Sequence, residues 1–327
     1  MNKVEVKIPS EPILELNDTL SFLGSCFSEH IARYSISTGF DVCSNPFGVV
    51  FNPVSLANQI EWSEEDWEYS IFQVEDKFLS WNSSSLIWSL DRTALKNKLY
   101  SLRASLHRHL ENSSVLFITF GTSWIYELKE DKRLVANNHK QPADYFTKRC
   151  LKATEIIECW DQTLKRLKEI NPTLKIVFTI SPVRHKKDGL IENNLSKSRL
   201  IDAVHEIVAK RTDSFYFPSY ELVIDELRDY AYFEKDGVHP NKHAIEVIES
   251  KFFDCYITPK AQEVIQSFLQ LKQLVSHRIL YPGTNDARIF EKTRSLKIEA
   301  FLKKYPEFST LLTSIIHQSQ SKNPLYT

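Results

Sequence analysis

Glycine is scarce in this chain, with only 7 of the 327 residues. None of them forms the G-x-G-x-x-G pattern, in which a tight turn and a helix N-terminus bind the pyrophosphate of a dinucleotide. The chain therefore lacks the usual signature of a nucleotide site, and we expect the protein to act without a cofactor.

Long apolar runs and an excess of charge are also missing. No stretch approaches the roughly 18 apolar residues that cross a membrane, and residues 1–18 lack the roughly 7–15-residue apolar segment of a signal peptide. With 41 basic and 42 acidic residues the net charge is −1, which provides no electrostatic surface for nucleic acid or an anionic membrane. We therefore expect a cytoplasmic protein with neither nucleic acid nor membrane as a partner.

The five cysteines are widely and irregularly spaced, and no two form a C-x-x-C pair. This pattern disfavours a zinc site or a disulfide framework. His107 and His109 are two residues apart in a helical pattern, so they point in different directions and do not make a metal-ligand pair. We predict no metal site.

Short apolar runs alternate with amphipathic stretches along most of the chain. Thr19–Leu23, Val115–Phe120 and Lys175–Ile180 have the length and composition of buried parallel strands, and a shorter run covers Phe215–Phe217. Helical stripes separate these runs, as shown by the apolar sets Leu95/Leu99/Leu102/Leu106, Ile156/Trp160/Leu164/Leu167 and Leu200/Val204/Ile207. The alternation predicts right-handed βαβ units in a three-layer α/β/α sandwich with a mainly parallel sheet.

Two segments depart from this alternation. Glu61–Ser89 is rich in Trp, Ser and acidic residues and reads as a small antiparallel insertion. From about residue 259 the pattern becomes helical and charged, which predicts an α/β domain over 1–258 and a helical extension over 259–327. The extension would pack on the core, cover the site or form a homo-oligomer, and these alternatives stay open.

The turn Gly24-Ser25-Cys26-Phe27 joins the first predicted strand to the first predicted helix. Unpaired N–H groups at a helix N-terminus favour negative charge and would activate a nucleophile placed there. Equally, Gly24 would make a tight turn, Ser25 would cap the helix and Cys26 would be a small core residue.

The second informative segment is Asp236-Gly237-Val238-His239-Pro240. An Asp three residues before a His on one loop allows the carboxylate to hold the imidazole in the tautomer that general-base catalysis needs. Ligands of parallel sheets bind beyond the carboxyl ends of the strands, where the loops after Leu23, Phe120, Ile180 and Phe217 converge.

The order of these motifs resembles the SGNH/GDSL hydrolase superfamily, and more closely its GSCFA branch. The resemblance covers roughly residues 10–255 through LGSCFSEHIA (23–32), NPFGVVFNP (45–53), TFGTSWIYE (119–127), ANNHKQPADYF (136–146), SPVRHKKDG (181–189), YFPSYELVIDELRDY (216–230) and DGVHP (236–240). It implies an esterase-like α/β/α fold, acyl chemistry, and Asp236 and His239 as the superfamily's D-x-x-H pair.

The resemblance leaves two candidates for the nucleophile. Alignment of GSCFSEH with the superfamily's G-D-S-L pattern places Cys26 under its serine, whereas residue type favours Ser25. A thiol beside a helix N-terminus and a His would form a thioester, and a serine would need His239 to remove its proton.

Candidates for the oxyanion donors lie on several loops. Gly48 would supply a backbone N–H and Asn45 a side-chain amide, although the same residues fit a plain Asn-Pro turn. Gly121, at which the superfamily's G-x-N-D block begins, is a further oxyanion or substrate-binding candidate, but the block here lacks its Asn. Asn137 would then replace it, or would belong to a polar hairpin loop.

Arg184 and His185 follow a predicted strand, and a cation there would hold a carboxylate or phosphate of the substrate. The alternative for Arg184 is a structural ion pair, for example with Glu127. We expect a hydrolase acting on a short acyl ester of a carbohydrate or another small hydroxylated molecule. An O-acyltransferase using the same site, and a non-catalytic binding protein, are the alternatives.

Overall fold

The apolar runs predicted as strands form the middle of one parallel sheet. The computed structural model describes residues 4–321, apart from the side chains of 318–321. Its strands are β1 Thr19–Gly24, β2 Asp41–Ser44, β3 Ile71–Val74, β4 Lys77–Ser80, β5 Val115–Phe120, β6 Trp124–Leu128, β7 Leu134–Val135, β8 Phe146–Cys150, β9 Lys175–Ile180 and β10 Ser214–Phe217. The central sheet has the order β10-β9-β5-β1-β2, and every neighbouring pair in it is parallel.

Helices connect these strands and cover both faces of the sheet. They are α1 Cys26–Ser37, α2 Pro53–Glu61, α3 Glu64–Tyr69, α4 Arg92–Asn112, α5 Ala153–Ile170, α6 Leu190–Ala209, α7 Ser219–Glu221, α8 Lys242–Tyr256, α9 Pro259–Ser276, α10 Asn285–Lys304 and α11 Ser309–Ser321. None of the helices within residues 4–321 is long and apolar enough to cross a membrane.

Alternate residues of each central strand enter two separate cores. In β5, Leu116 and Ile118 pack with α4, α5 and α6, whereas Val115 and Phe117 pack with α1 and α8 on the opposite face. Successive side chains of a strand point to opposite faces, so a strand that is buried on both sides reads as a continuous apolar run. The predicted three-layer α/β/α sandwich is confirmed.

The remaining strands form two small antiparallel sheets. β3 and β4 make a hairpin inside Glu61–Ser89, which confirms the predicted antiparallel insertion, and the short helix α3 precedes this hairpin. β6, β7 and β8 form a three-stranded sheet that the sequence did not predict.

The predicted helical extension consists of α9, α10 and α11. Residues 322–327 of the extension and residues 1–3 of the predicted α/β domain lie outside the described residues. The extension has a core of its own in which Phe268, Phe308 and Leu312 are buried. Its first helix also packs Ala261 and Ile265 into the core beneath α1 and α8. The domain boundary at residue 258 stays a prediction, since packing is continuous across it.

Candidate active site

A cavity of about 370 Å³ lies where the loops after β1 and β9 meet the loop that precedes α8. It is lined by Ser25, Cys26, Phe51, Ser181, Val183, Arg184, His185, Lys186, Lys187, Asp236, Val238 and His239. The structure therefore brings together six of the ten residues that the sequence singled out, from three separate parts of the chain.

The turn after β1 is held tightly against β5. Gly24 has φ +140°, and a Cβ atom there would lie 2.2 Å from the carbonyl oxygen of Thr119. The same carbonyl accepts a hydrogen bond of 3.1 Å from the Ser25 N–H. Only glycine tolerates both the backbone conformation and the close approach, so Gly24 fixes where α1 begins.

Ser25 occupies the N-cap position of α1, but its side chain makes no capping hydrogen bond. The residue is 1% exposed, and its Oγ has no hydrogen-bond partner among the described residues. The predicted capping role is therefore wrong, and the hydroxyl lies at the edge of the cavity without an acceptor.

Cys26 is the first residue of α1 and is half-buried beside the cavity. Burial raises the pKa of its thiol above the ordinary value, and the nearby Glu29 carboxylate acts in the same direction. The N–H groups of Cys26 and Phe27, together with the cation of Lys197, lower the pKa of the thiol and partly oppose these effects. The thiol thus faces the unpaired donors of a helix N-terminus but still needs a base.

Asp236 and His239 form the predicted pair. His239 Nδ1 lies 2.5 Å from Asp236 Oδ2, while Asp236 Oδ1 accepts the N–H groups of Val238 at 2.9 Å and His239 at 3.0 Å. These backbone hydrogen bonds, and then the imidazole, hold the pKa of Asp236 well below its usual range. The carboxylate therefore stays ionised and directs the second nitrogen, Nε2, away from itself, as a general base requires.

Arg184 and His185 also line the cavity. The His185 ring lies against Phe51 with centroids 5.6 Å apart, and burial, followed by the charge of Lys197, lowers the pKa of His185 to about 4. His185 is therefore neutral at pH 7. Glu127 binds Arg149 at 3.0 Å, so the alternative that Arg184 pairs with Glu127 is wrong.

The backbone donors expected from Gly48 and Gly121 are occupied elsewhere. Gly48 N–H donates to the carbonyl oxygen of Asn45 at 2.7 Å, and Gly121 N–H donates to that of Phe51 at 2.7 Å. Neither glycine lines the cavity. The predicted oxyanion roles of both are wrong, because each N–H hydrogen is already used in holding a loop.

The side chains of Asn45 and Asn137 are likewise engaged outside the cavity. Asn45 Oδ1 accepts from Gly24 N–H at 2.8 Å, and its Nδ2 donates to Ser28 Oγ at 3.3 Å. Asn137 Nδ2 donates to Ser85 Oγ at 3.2 Å, and its Oδ1 accepts the N–H of His139. Asn45 thus supports the turn that carries the nucleophile candidates, and Asn137 belongs to a polar loop, the alternative considered for it.

Lys197 is a residue of the site that sequence reasoning missed. It is 1% exposed, and its ammonium group donates to the carbonyl oxygens of Gly121 and Ser181, each at 2.6 Å. Burial lowers the pKa of Lys197 to about 7. The available signal was its place on the apolar stripe of α6, three residues before Leu200, where a lysine is unusual.

No cluster of three or more His, Cys, Asp or Glu side chains within residues 4–321 is arranged to hold a metal ion. The side chains of the cavity offer a thiol and a hydroxyl at a helix N-terminus, an imidazole held by a carboxylate, and several cations.

Comparisons with known proteins give one family and several distant structures. The model of the GSCFA family matches residues 19–252, and no curated protein sequence matches the chain. One similar solved structure is an acetyl xylan esterase from the rumen bacterium Butyrivibrio proteoclasticus, with 12% identity over 77% of this chain and a TM-score of 0.36. This chain covers 64% of the length of that esterase.

Two further solved structures are similar at the same low level. A family two carbohydrate esterase from Clostridium thermocellum, in complex with cellohexaose, has 9% identity over 82% of this chain and 67% of its own, with a TM-score of 0.36. A family 3 carbohydrate esterase from Talaromyces cellulolyticus has 11% identity over 76% of this chain and 98% of its own, with a TM-score of 0.34.

Proposed function

The chain belongs to the GSCFA family, and we propose that it is an acyl-ester hydrolase of SGNH type in which Cys26, His239 and Asp236 carry the chemistry. The substrate is a short acyl ester of a small hydroxylated molecule such as a carbohydrate. The observation that supports this proposal is that the Asp236–His239 pair lines one cavity with the helix N-terminus bearing Cys26.

Accessibility favours Cys26 over Ser25 as the nucleophile. The Ser25 hydroxyl is buried and has no hydrogen-bond partner among the described residues, whereas the Cys26 side chain is half-exposed. Because burial raises the pKa of the thiol, a base must remove its proton, and His239, which lines the same cavity, is that base.

In the first half-reaction His239 accepts the Cys26 proton as sulfur attacks the ester carbonyl carbon. The tetrahedral oxyanion then collapses, the carbon–oxygen bond to the alcohol breaks, and the alcohol leaves with the proton from His239. In the second half-reaction water gives a proton to His239 and attacks the thioester, which releases the carboxylic acid and the thiol. The N–H groups of Cys26 and Phe27, which have no acceptor within α1, stabilise the oxyanion.

The test is intact-mass detection of the acyl-enzyme during turnover of para-nitrophenyl acetate, propionate and butyrate. We expect wild type to gain the mass of one acyl group, Cys26→Ala to gain none, and the adduct to persist in Ser25→Ala. The reverse pattern for the two variants would make Ser25 the nucleophile. An adduct that water does not release would favour an acyltransferase, and the absence of both an adduct and ester hydrolysis would refute the proposal.

A further inference from the structure

Positive charge around the cavity is not balanced by carboxylates. Lys186 donates its ammonium hydrogen to the backbone carbonyl of Asp236, and Lys197 donates only to two backbone carbonyls. Arg184 and Lys187 make no hydrogen bond or ion pair within the described part of the chain. In a protein with a net charge of −1, this is a local surplus of cations.

Two carboxylates beside these cations are already committed. Asp236 is held by His239 and by two backbone N–H groups, and Asp188 forms an ion pair with Lys148. Neither carboxylate is available to neutralise Arg184 or Lys187. The unpaired cations therefore produce a positive electrostatic potential in the cavity, which attracts an anionic ligand.

Arg184 differs from the other arginines that have no side-chain partner among the described residues, because its guanidinium is partly buried whereas Arg108, Arg228, Arg278 and Arg288 are exposed. Its Nε atom is buried and has no acceptor among the described residues. Arg211 also has an unbonded Nε, but it pairs through Nη2 with Asp161 at 2.8 Å, and Arg149 binds both Glu127 and Glu155. A buried donor is costly when unpaired, so a ligand that accepts from Arg184 would satisfy it.

Apolar side chains that also line the cavity are suited to the organic part of such a ligand. Phe51, Val183 and Val238 present apolar surface, and His185 next to Arg184 is neutral at pH 7. A planar guanidinium can form two parallel hydrogen bonds to a carboxylate or a phosphate, which fixes the orientation of the ligand as well as its position.

We infer that the cavity binds an anionic group of the substrate, a carboxylate or a phosphate, through Arg184 with Lys187 at the rim. This inference rests on the proposed function, since it adds a substrate class to the hydrolysis of an acyl ester. The ester carbonyl lies against Cys26 and His239 while the anionic group, on the same small molecule, contacts Arg184.

The first experiment compares three acetyl esters of similar phenols: para-acetoxybenzoate, para-acetoxyphenyl phosphate and the neutral methyl para-acetoxybenzoate. Each kcat/KM is divided by the alkaline hydrolysis rate of that ester. We expect wild type to prefer at least one anionic ester by about tenfold or more, with the preference declining as salt is added. The better of the two anionic esters identifies carboxylate or phosphate as the ligand.

Arg184→Gln should raise KM for the preferred anionic ester by a much larger factor than for the neutral ester and so remove the preference, whereas Arg184→Lys should restore part of it. The matched control is Arg166→Gln, an exposed arginine on α5 paired with Glu169, which should retain the full preference. Circular dichroism and thermal melting establish that each variant is folded.

A second measurement does not depend on turnover. Calorimetric titration with benzoate and with phenyl phosphate should show binding to wild type that weakens about tenfold in Arg184→Gln. If one probe binds in this way but no ester is hydrolysed, the proposed function is overturned and the anion site stands. If esters are hydrolysed without an anionic preference, or Arg184→Gln affects neutral and anionic esters equally, the anion site is overturned and the hydrolase stands. Absence of probe binding would also overturn the anion site.

Discussion

The ammonium nitrogen of Lys197 lies 2.6 Å from the carbonyl oxygen of Ser181, directly after β9, and 2.6 Å from that of Gly121, directly after β5. One buried cation on α6 thus joins the ends of two neighbouring strands beneath the cavity. Because water is excluded and no carboxylate accepts from this group, its protonation is coupled to folding.

We therefore predict that Lys197 makes the free energy of unfolding depend on pH in the alkaline range. Burial depresses its folded-state pKa to about 7, below the value of an unfolded lysine, so the unfolded chain binds more protons between these two values. The contribution of Lys197 to the free energy of unfolding is therefore greatest above the pKa of an unfolded lysine and is lost as the pH falls toward about 7.

The measurement is urea unfolding of wild type and Lys197→Met at pH 7 and pH 9.5. Between pH 7 and pH 9.5 the free energy of unfolding of wild type should rise by roughly 1–3 kcal/mol more than that of the variant, as the linkage between protonation and folding requires. Lys165→Met, an exposed lysine on α5, should have the pH slope of wild type. Parallel slopes for wild type and Lys197→Met would show that Lys197 titrates normally.

The Asp236–His239 pair should be essential for turnover. Loss of a general base lowers kcat by roughly 10²–10⁴-fold, and we expect this loss for His239→Ala and for Asp236→Asn. His243→Ala is the matched control, because His243 lies on α8 four residues further along, is exposed and does not line the cavity. Steady-state kinetics on a para-nitrophenyl ester provides the measurement, and retention of activity by His239→Ala would exclude its role as the base.

Removal of the Ser25 hydroxyl should stabilise the fold. The group is buried without a partner in the described part of the chain, and such a group costs on the order of 1 kcal/mol, which Ser25→Ala recovers. Ser28→Ala should have the opposite effect by a similar amount, because Ser28 Oγ donates to the Ser25 carbonyl at 2.8 Å and accepts from Asn45. Thermal and chemical unfolding compare the pair. Destabilisation by Ser25→Ala would mean that its hydroxyl has an acceptor.

Gly24→Ala should be severely destabilising. Its Cβ would lie 2.2 Å from the Thr119 carbonyl oxygen, and backbone atoms of β1 and β5 would have to separate. We expect a loss of roughly 3 kcal/mol or more, or failure to fold. Gly283→Ala is the control, since Gly283 also has positive φ but nothing within 4 Å of the added atom, so only backbone strain of about 1 kcal/mol remains. Equal melting temperatures of the two variants would contradict the prediction.

The central strands could be predicted, whereas the small strands could not. Val115–Phe120 and Lys175–Ile180 are buried on both faces, and because both faces need apolar side chains, these strands are continuous apolar runs in the sequence. β2 reads Asp-Val-Cys-Ser, β7 has only two residues, and β8 carries the exposed Thr147 and Lys148, so their strand conformation depends on the neighbours with which they pair. Pairing partners distant in the chain leave no local pattern.

The sequence by itself determined the alternating α/β architecture, the glycine-bearing turn after β1 and the local geometry of Asp236 and His239, since each depends on residues close together in the chain. Tertiary structure alone decided which donors remain free. Gly48 and Gly121 donate their N–H groups to other loops, the Ser25 hydroxyl has no hydrogen-bond partner among residues 4–321, and Lys197 reaches two strand ends. A hydrogen bond between distant segments depends on angstrom-scale positions that the whole fold sets, and no local sequence pattern encodes them.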